Sequence, residues 1–183
     1  MRIELHMRLP RPCQIVATKT MVVSLGLTLA GCATTPPRDN AGFHEQCRQA
    51  IAKQWPQWRP RDVSSEVREW AATVNEDPTV AHGDFDDDGK EDVALLIQLA
   101  DRSDSVRIVV CLSSVEVTQP MMIGSPYCSD GIGSTSKGKR YYDYGTDSEG
   151  TYPRDGIHAY CFEKAGATYI YEGASFREII DSD

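Results

Sequence analysis

Hydrophobic positions change their period along the chain, and each change marks a boundary between elements. Residues 21–29 form a largely apolar run behind the basic Arg8, Arg11 and Lys19. The run is too short for a membrane-spanning helix, which needs about 20 apolar residues. Residues 33–40 lose all periodicity and contain Pro36 and Pro37, the composition of a flexible tether. From 41 to about 55, Phe43, Cys47, Ala50, Ile51 and Gln54 recur in steps of three and four. That spacing predicts an amphipathic helix stopped by Pro56. A second helix is expected over 64–73, capped by Ser64, with Val67 and Ala71 on one face and Trp70 beside them.

Beyond Pro78 the pattern turns strand-like. Residues 79–81 lead into an acidic stretch, and 93–99 and 106–112 are runs of branched and aliphatic residues that predict a hairpin. Residues 115–123 are expected to form a third strand, bent or edged by Pro120. A polar, glycine-rich segment follows over 124–150, and 156–163, 167–171 and 175–180 read as closing strands, with Glu172-Gly173 at the last turn. The expected fold is α+β: two N-terminal helices packed on a mainly antiparallel sheet, in a single domain over 41–183.

The segment Leu29-Ala30-Gly31-Cys32, behind its basic and apolar flanks, resembles the lipobox of a bacterial lipoprotein signal peptide. The resemblance implies removal of 1–31, a lipidated Cys32 and a tether over 32–40. It also implies anchorage in a lipid bilayer at the cell envelope, on the outer membrane facing the periplasm. A start at Met7 would give a more ordinary basic leader. Loss of 1–31 removes four basic residues and one acidic one, moving the net charge from −8 to −11. So acidic a chain argues against nucleic acid and against electrostatic adhesion to anionic lipid.

Cys47, Cys111, Cys128 and Cys161 remain after export. An even number in an oxidising compartment reads as two disulfides with three possible pairings, and no CxxC spacing suggests zinc. The short loop between Cys111 and Cys128 favours that pair, leaving Cys47 with Cys161.

The candidate chemistry lies in Asp84-Phe85-Asp86-Asp87-Asp88-Gly89-Lys90-Glu91-Asp92. Aspartates at loop positions one, three, five and nine, with Gly89 for a sharp turn, suit a hard cation that takes about 6–8 oxygen ligands, as Ca²⁺ does. An EF-hand would require a bidentate Glu at position twelve, where this chain has Leu95. The stretch Gly83 to Ala94 resembles the loop of FG-GAP and VCBS-type repeats, Gly-Asp-Phe-Asp-x-Asp-Gly-x-x-Asp, and the likeness extends over residues 79–112. It implies Asp84, Asp86, Asp88, the Lys90 carbonyl and Asp92 as ligands, in a hairpin like one from a propeller blade. A propeller repeats its blade about 4–8 times; one copy excludes that fold. Asp87 occupies a place where such loops commonly have glycine.

Asp155-Gly156-Ile157, Phe162 to Ala165 and Tyr169 to Ile179 loosely resemble the ending of small exported bacterial proteins with the same aspartate loop, a group that brings no activity. Catalytic patterns are poor. His44, His82 and His158 lack metal spacing, no Gly-x-Ser-x-Gly elbow occurs, and Gly131-Ile132-Gly133-Ser134-Thr135 lacks the lysine of a phosphate loop. Tyr141, Tyr142, Tyr144 and Tyr152, among Lys137, Lys139 and Arg140, either contact a partner or pack over the sheet edge. The sequence thus predicts a calcium-stabilised, non-enzymatic envelope lipoprotein acting as a binding or structural module. The alternative is a protein-partner or hydrolase-inhibitor lipoprotein working through its tyrosines. An envelope hydrolase with paired carboxylates is the least supported reading.

Overall fold

Val93-Ala94-Leu95-Leu96-Ile97 is apolar at successive positions because it is covered on both faces, and the rest of the fold is arranged around it. A computed structural model describes residues 40–99, 105–116, 119–124, 126 and 128–182, which lie within one compact unit, Pro37–Asp183. The expected signal, Cys32 and the tether up to residue 39 lie outside the described residues. Helix α1 spans Asn40–Gln54 and α2 spans Ser65–Val74. The strands are β1 Arg59–Pro60, β2 Val80–Gly83, β3 Asp92–Gln98, β4 Val106–Cys111, β5 Met121–Ile123, β6 Gly131–Thr135, β7 Arg140–Asp143, β8 Ser148–Thr151, β9 Gly156–Cys161, β10 Ala165–Tyr171 and β11 Phe176–Ser182.

The first sheet runs β1-β3-β4-β5 with β2 also on β3, the second runs β11-β10-β9-β6, and β7 pairs with β8. All pairings are antiparallel. In β3, Ala94 and Leu96 join Phe85, Ile108 and Val110 in a core shared with Ile132, Ile157, Ala159, Ala167 and Tyr169 of the second sheet. The alternate residues Val93, Leu95 and Ile97 sit with Val109 beneath Cys47 and Ile51 of α1. On the second sheet, Ile170 and Ile179 are covered by Tyr152 and Tyr141. The layers are therefore helix, sheet, sheet and hairpin.

This corrects the α+β expectation: among the described residues eleven strands in three sheets outweigh two short helices, and the fold is β-rich. The two helices do not share one sheet. Helix α1 covers the first, whereas Trp70 of α2 meets Tyr160 of the second, ring centroids 5.4 Å apart. The absence of propeller repetition stands. Much of the shortfall came from 124–150, expected to be irregular but containing β6, β7 and most of β8. Glycine weakens a strand signal, yet two of these glycines serve the sheet. A Cβ on Gly131 would lie 2.3 Å from the Tyr160 hydroxyl, and one on Gly150 would lie 2.4 Å from that of Tyr141. The missing side chains let a cross-strand ring lie flat over the backbone.

All four cysteines are paired, but not as the short loop suggested. Cys47 joins Cys111, tying α1 to β4, and Cys128 joins Cys161, tying the lead into β6 to the end of β9, with Cα separations of 5.9 and 4.9 Å. Register explains the change. Gly131 pairs with Tyr160, which carries Cys128 toward Cys161. Cys111 lies opposite Val93 on the face that α1 covers.

Candidate metal centre

The aspartate loop leaves β2 and returns as β3, so its ends are fixed by the pairing of Gly83 with Asp92. Phe85, fully buried, plugs the loop into the core between the sheets. Gly83 makes room for it, since a Cβ there would lie 2.8 Å from the Phe85 ring. Gly89 turns at φ +80°.

With Phe85 anchored inward, the carboxylates of Asp84, Asp86 and Asp88 converge, and one oxygen from each lies within 4.8 Å of the others. Oxygens on opposite sides of a calcium ion at about 2.4 Å each would be about that far apart. The carboxylates also organise the backbone. Asp84 accepts N–H bonds from Asp88 and Gly89, both at 2.9 Å, and Asp86 accepts from Asp88 at 3.2 Å. Asp88 accepts from the Lys90 amide at 2.8 Å and pairs with the Lys90 ammonium at 3.0 Å. Burial pushes the Asp88 carboxyl up, but Lys90 outweighs it and holds the group below the usual value.

Asp92 lies outside this triad. It is fully buried, and its two oxygens accept from the Phe85 amide at 2.9 Å and the Ser113 amide at 2.7 Å. Burial pushes its carboxyl up to about 6, against the pull of the Ser113 amide and with the charge of Asp86 adding to the rise. Its position closes the loop upon the segment after β4. Asp87 stands at φ +65°, in the left-handed region that glycine favours. Its side chain turns outward to Lys137 at 2.7 Å, a hydrogen bond that lowers its pKa.

Residues distant in sequence complete the setting. Ser114 donates to Asp86, and the Ser113 hydroxyl lies 3.4 Å from Asp88. Asp155, just before β9, accepts from the Asp84 amide at 3.0 Å and the Lys137 amide at 2.9 Å, while Arg154 donates to the Asp86 carbonyl at 3.2 Å. Both sheets thus grip the loop. Local spacing could not show this, because Ser113 and Asp155 reach the loop only through strand pairing; the one hint was the polar Asp155-Gly156 at a strand start.

The residues fit a hard cation: hard oxygen donors, hydroxyls beside them, and a loop already turned inward. His82 is outside the cluster, 3.2 Å from Glu91, and its ring meets His44 edge-on at 5.7 Å. The tyrosines divide, Tyr152 buried and Tyr141 packed on it, Tyr142 and Tyr144 exposed. No family model matches the chain, and no curated protein or solved structure matches it at a significant level.

Proposed function

We propose that the chain is a calcium-stabilised, non-enzymatic binding or structural module, held at the bacterial envelope by lipid on Cys32. The observation that carries this reading is the convergence of Asp84, Asp86 and Asp88 in a loop clamped by two sheets. Three carboxylates held this close repel one another, and a divalent cation relieves the repulsion in the folded state alone. Binding restricted to the folded state stabilises it by RT ln(1 + [Ca]/Kd), about 2.7 kcal/mol at a hundredfold excess. Magnesium demands a small octahedral shell and suits the loop poorly. Thermal melts of chelator-stripped protein should rise on adding calcium and rise far less with magnesium. Identical melts with calcium and with chelator would refute the reading.

A second reading has its own observation. Tyr142 and Tyr144, 38% and 53% exposed and 5.0 Å apart, stand on the β7–β8 hairpin. Exposed paired aromatics are common anchors in protein interfaces. Loss of a captured envelope protein on Tyr144→Ala would favour it.

A further inference from the structure

The hairpin β7–β8 covers only part of the second sheet's outer face. Beyond it, Gly133 of β6 and His158 of β9 are paired neighbours and open onto a cleft of about 560 Å³ that also borders α2. This lies inside the roughly 300–1,000 Å³ range of small-molecule sites. Helix α2 buries Val67 and Ala71, but Trp70, next to Ala71, stays 40% exposed on the cleft wall. Its ring meets Tyr160 edge-on and leans on Phe162 at 6.1 Å. The result is a continuous aromatic wall on which the indole remains partly exposed.

The floor is polar, and its histidine is held in place. The Glu76 carboxylate overhangs Gly133, 3.7 Å from where a Cβ would stand. Nδ1 of His158 lies 3.1 Å from the Thr168 hydroxyl and 3.4 Å from Asp181. The Asp181 side chain is 7% exposed and also accepts from Tyr152 and Thr168. With Nδ1 engaged, Nε2 is the ring nitrogen left to hydrogen-bond a ligand. The Tyr160 hydroxyl, pushed up to about 12 by burial and by the charges of Glu76, Asp130 and Asp77, stays protonated at neutral pH and is able both to donate and to accept. Lys164 adds a donor on the rim.

Such a lining selects its ligand. Hydrocarbon would strand Glu76 and His158, and phosphate would face Glu76 and Glu163. A ring with one apolar face and hydroxyls around its edge satisfies both wall and floor. We propose that this cleft binds a saccharide of one or two rings, with Trp70 stacked on a sugar face and Glu76 and His158 holding its hydroxyls. The site is separate from the aspartate loop, and Asp181 acts in it as a positioning residue for His158.

The test is a nuclear magnetic resonance titration of the disulfide-intact protein with cellobiose, maltose, lactose and di-N-acetylchitobiose. Each is taken to about 50 mM, enough to reveal a millimolar Kd, with tetramethylammonium as a cationic control. At least one sugar should shift the Trp70 indole and His158 signals saturably. Trp70→Ala and Gly133→Val should each weaken that binding at least about tenfold, a change of about 1.4 kcal/mol. Both variants should still melt cooperatively, Trp70→Ala at a lower temperature because its ring packs on Tyr160 and Phe162, and Gly133→Val close to the parent. Trp70 is part-exposed, and a Cβ at 133 meets nothing nearer than 3.7 Å, so valine fills the cleft without a backbone clash. No saturable shift with any of the four sugars, a shift that survives both substitutions, or a response to tetramethylammonium alone would overturn the proposal.

Discussion

Asp86 and Asp87 are neighbours with opposite tasks, and substitution separates them. Asp86 faces the triad, whereas Asp87 occupies the left-handed position at φ +65° with its carboxylate on Lys137. Asp86→Ala should abolish the calcium-dependent rise in melting temperature. Asp87→Gly should retain it, because glycine adopts this φ freely and only an exposed ion pair is lost; paired thermal melts read both. Asp92→Ala should act on stability instead. It strands the amides of Phe85 and Ser113 in the interior, at about 1–3 kcal/mol for each unsatisfied donor. Denaturant unfolding should register a loss of roughly 2–4 kcal/mol even with calcium absent. Asp181 supplies the acid limit. Burial pushes its carboxyl up, but His158, Thr168 and Tyr152 outweigh this and hold it below 3.8. Its folded pKa lies beneath the unfolded value, so the unfolded chain takes up the proton first as pH falls. The stabilisation is complete above about pH 3.8 and disappears as pH drops through the folded pKa. Melts between about pH 5 and pH 2.5 should fall less steeply for Asp181→Asn than for the parent.

The elements differ in how far local sequence reveals them. Helix α2 was legible because Ser64 caps it, accepting from the Val67 amide, and Asn75 ends it in a left-handed turn. Strand β3 was legible from its aliphatic run. Strand β6 was not, since Gly131 and Gly133 remove the alternation that marks a strand, and the reason for Gly131, the Tyr160 ring, lies on another element. With β6 unseen, its pairing with β9 and the Cys128–Cys161 bond were also out of reach. The aspartate triad was legible because its carboxylates are close in sequence; Ser113, Ser114 and Asp155 were not. Two measurements follow at this scale. Peptide mapping of the unreduced protein should recover Cys47 linked to Cys111 and Cys128 linked to Cys161. Gly131→Ala should cost about 1–3 kcal/mol by displacing the Tyr160 ring, read by denaturant unfolding.

At the scale of the molecule, two disulfides, a clamped acidic loop and three apolar clusters hold a β-rich domain whose net charge is negative. Each disulfide typically contributes about 2–4 kcal/mol, so reduction should lower the melting temperature by many degrees. No helix among the described residues is long and apolar enough to cross a membrane, and the proposed attachment depends on lipid at Cys32. Cys32→Ser should leave the protein unprocessed or free of detergent-phase partitioning, with intact mass as the readout. The central claim, that the loop exists to hold calcium, is tested most directly by isothermal titration calorimetry of the chelator-stripped, disulfide-intact protein. Calcium added to millimolar concentration should give a single-site isotherm that Asp88→Ala eliminates and magnesium fails to reproduce. An isotherm without binding heat, together with an unchanged melting temperature, would contradict the account and leave the loop as an acidic turn braced by its own hydrogen bonds.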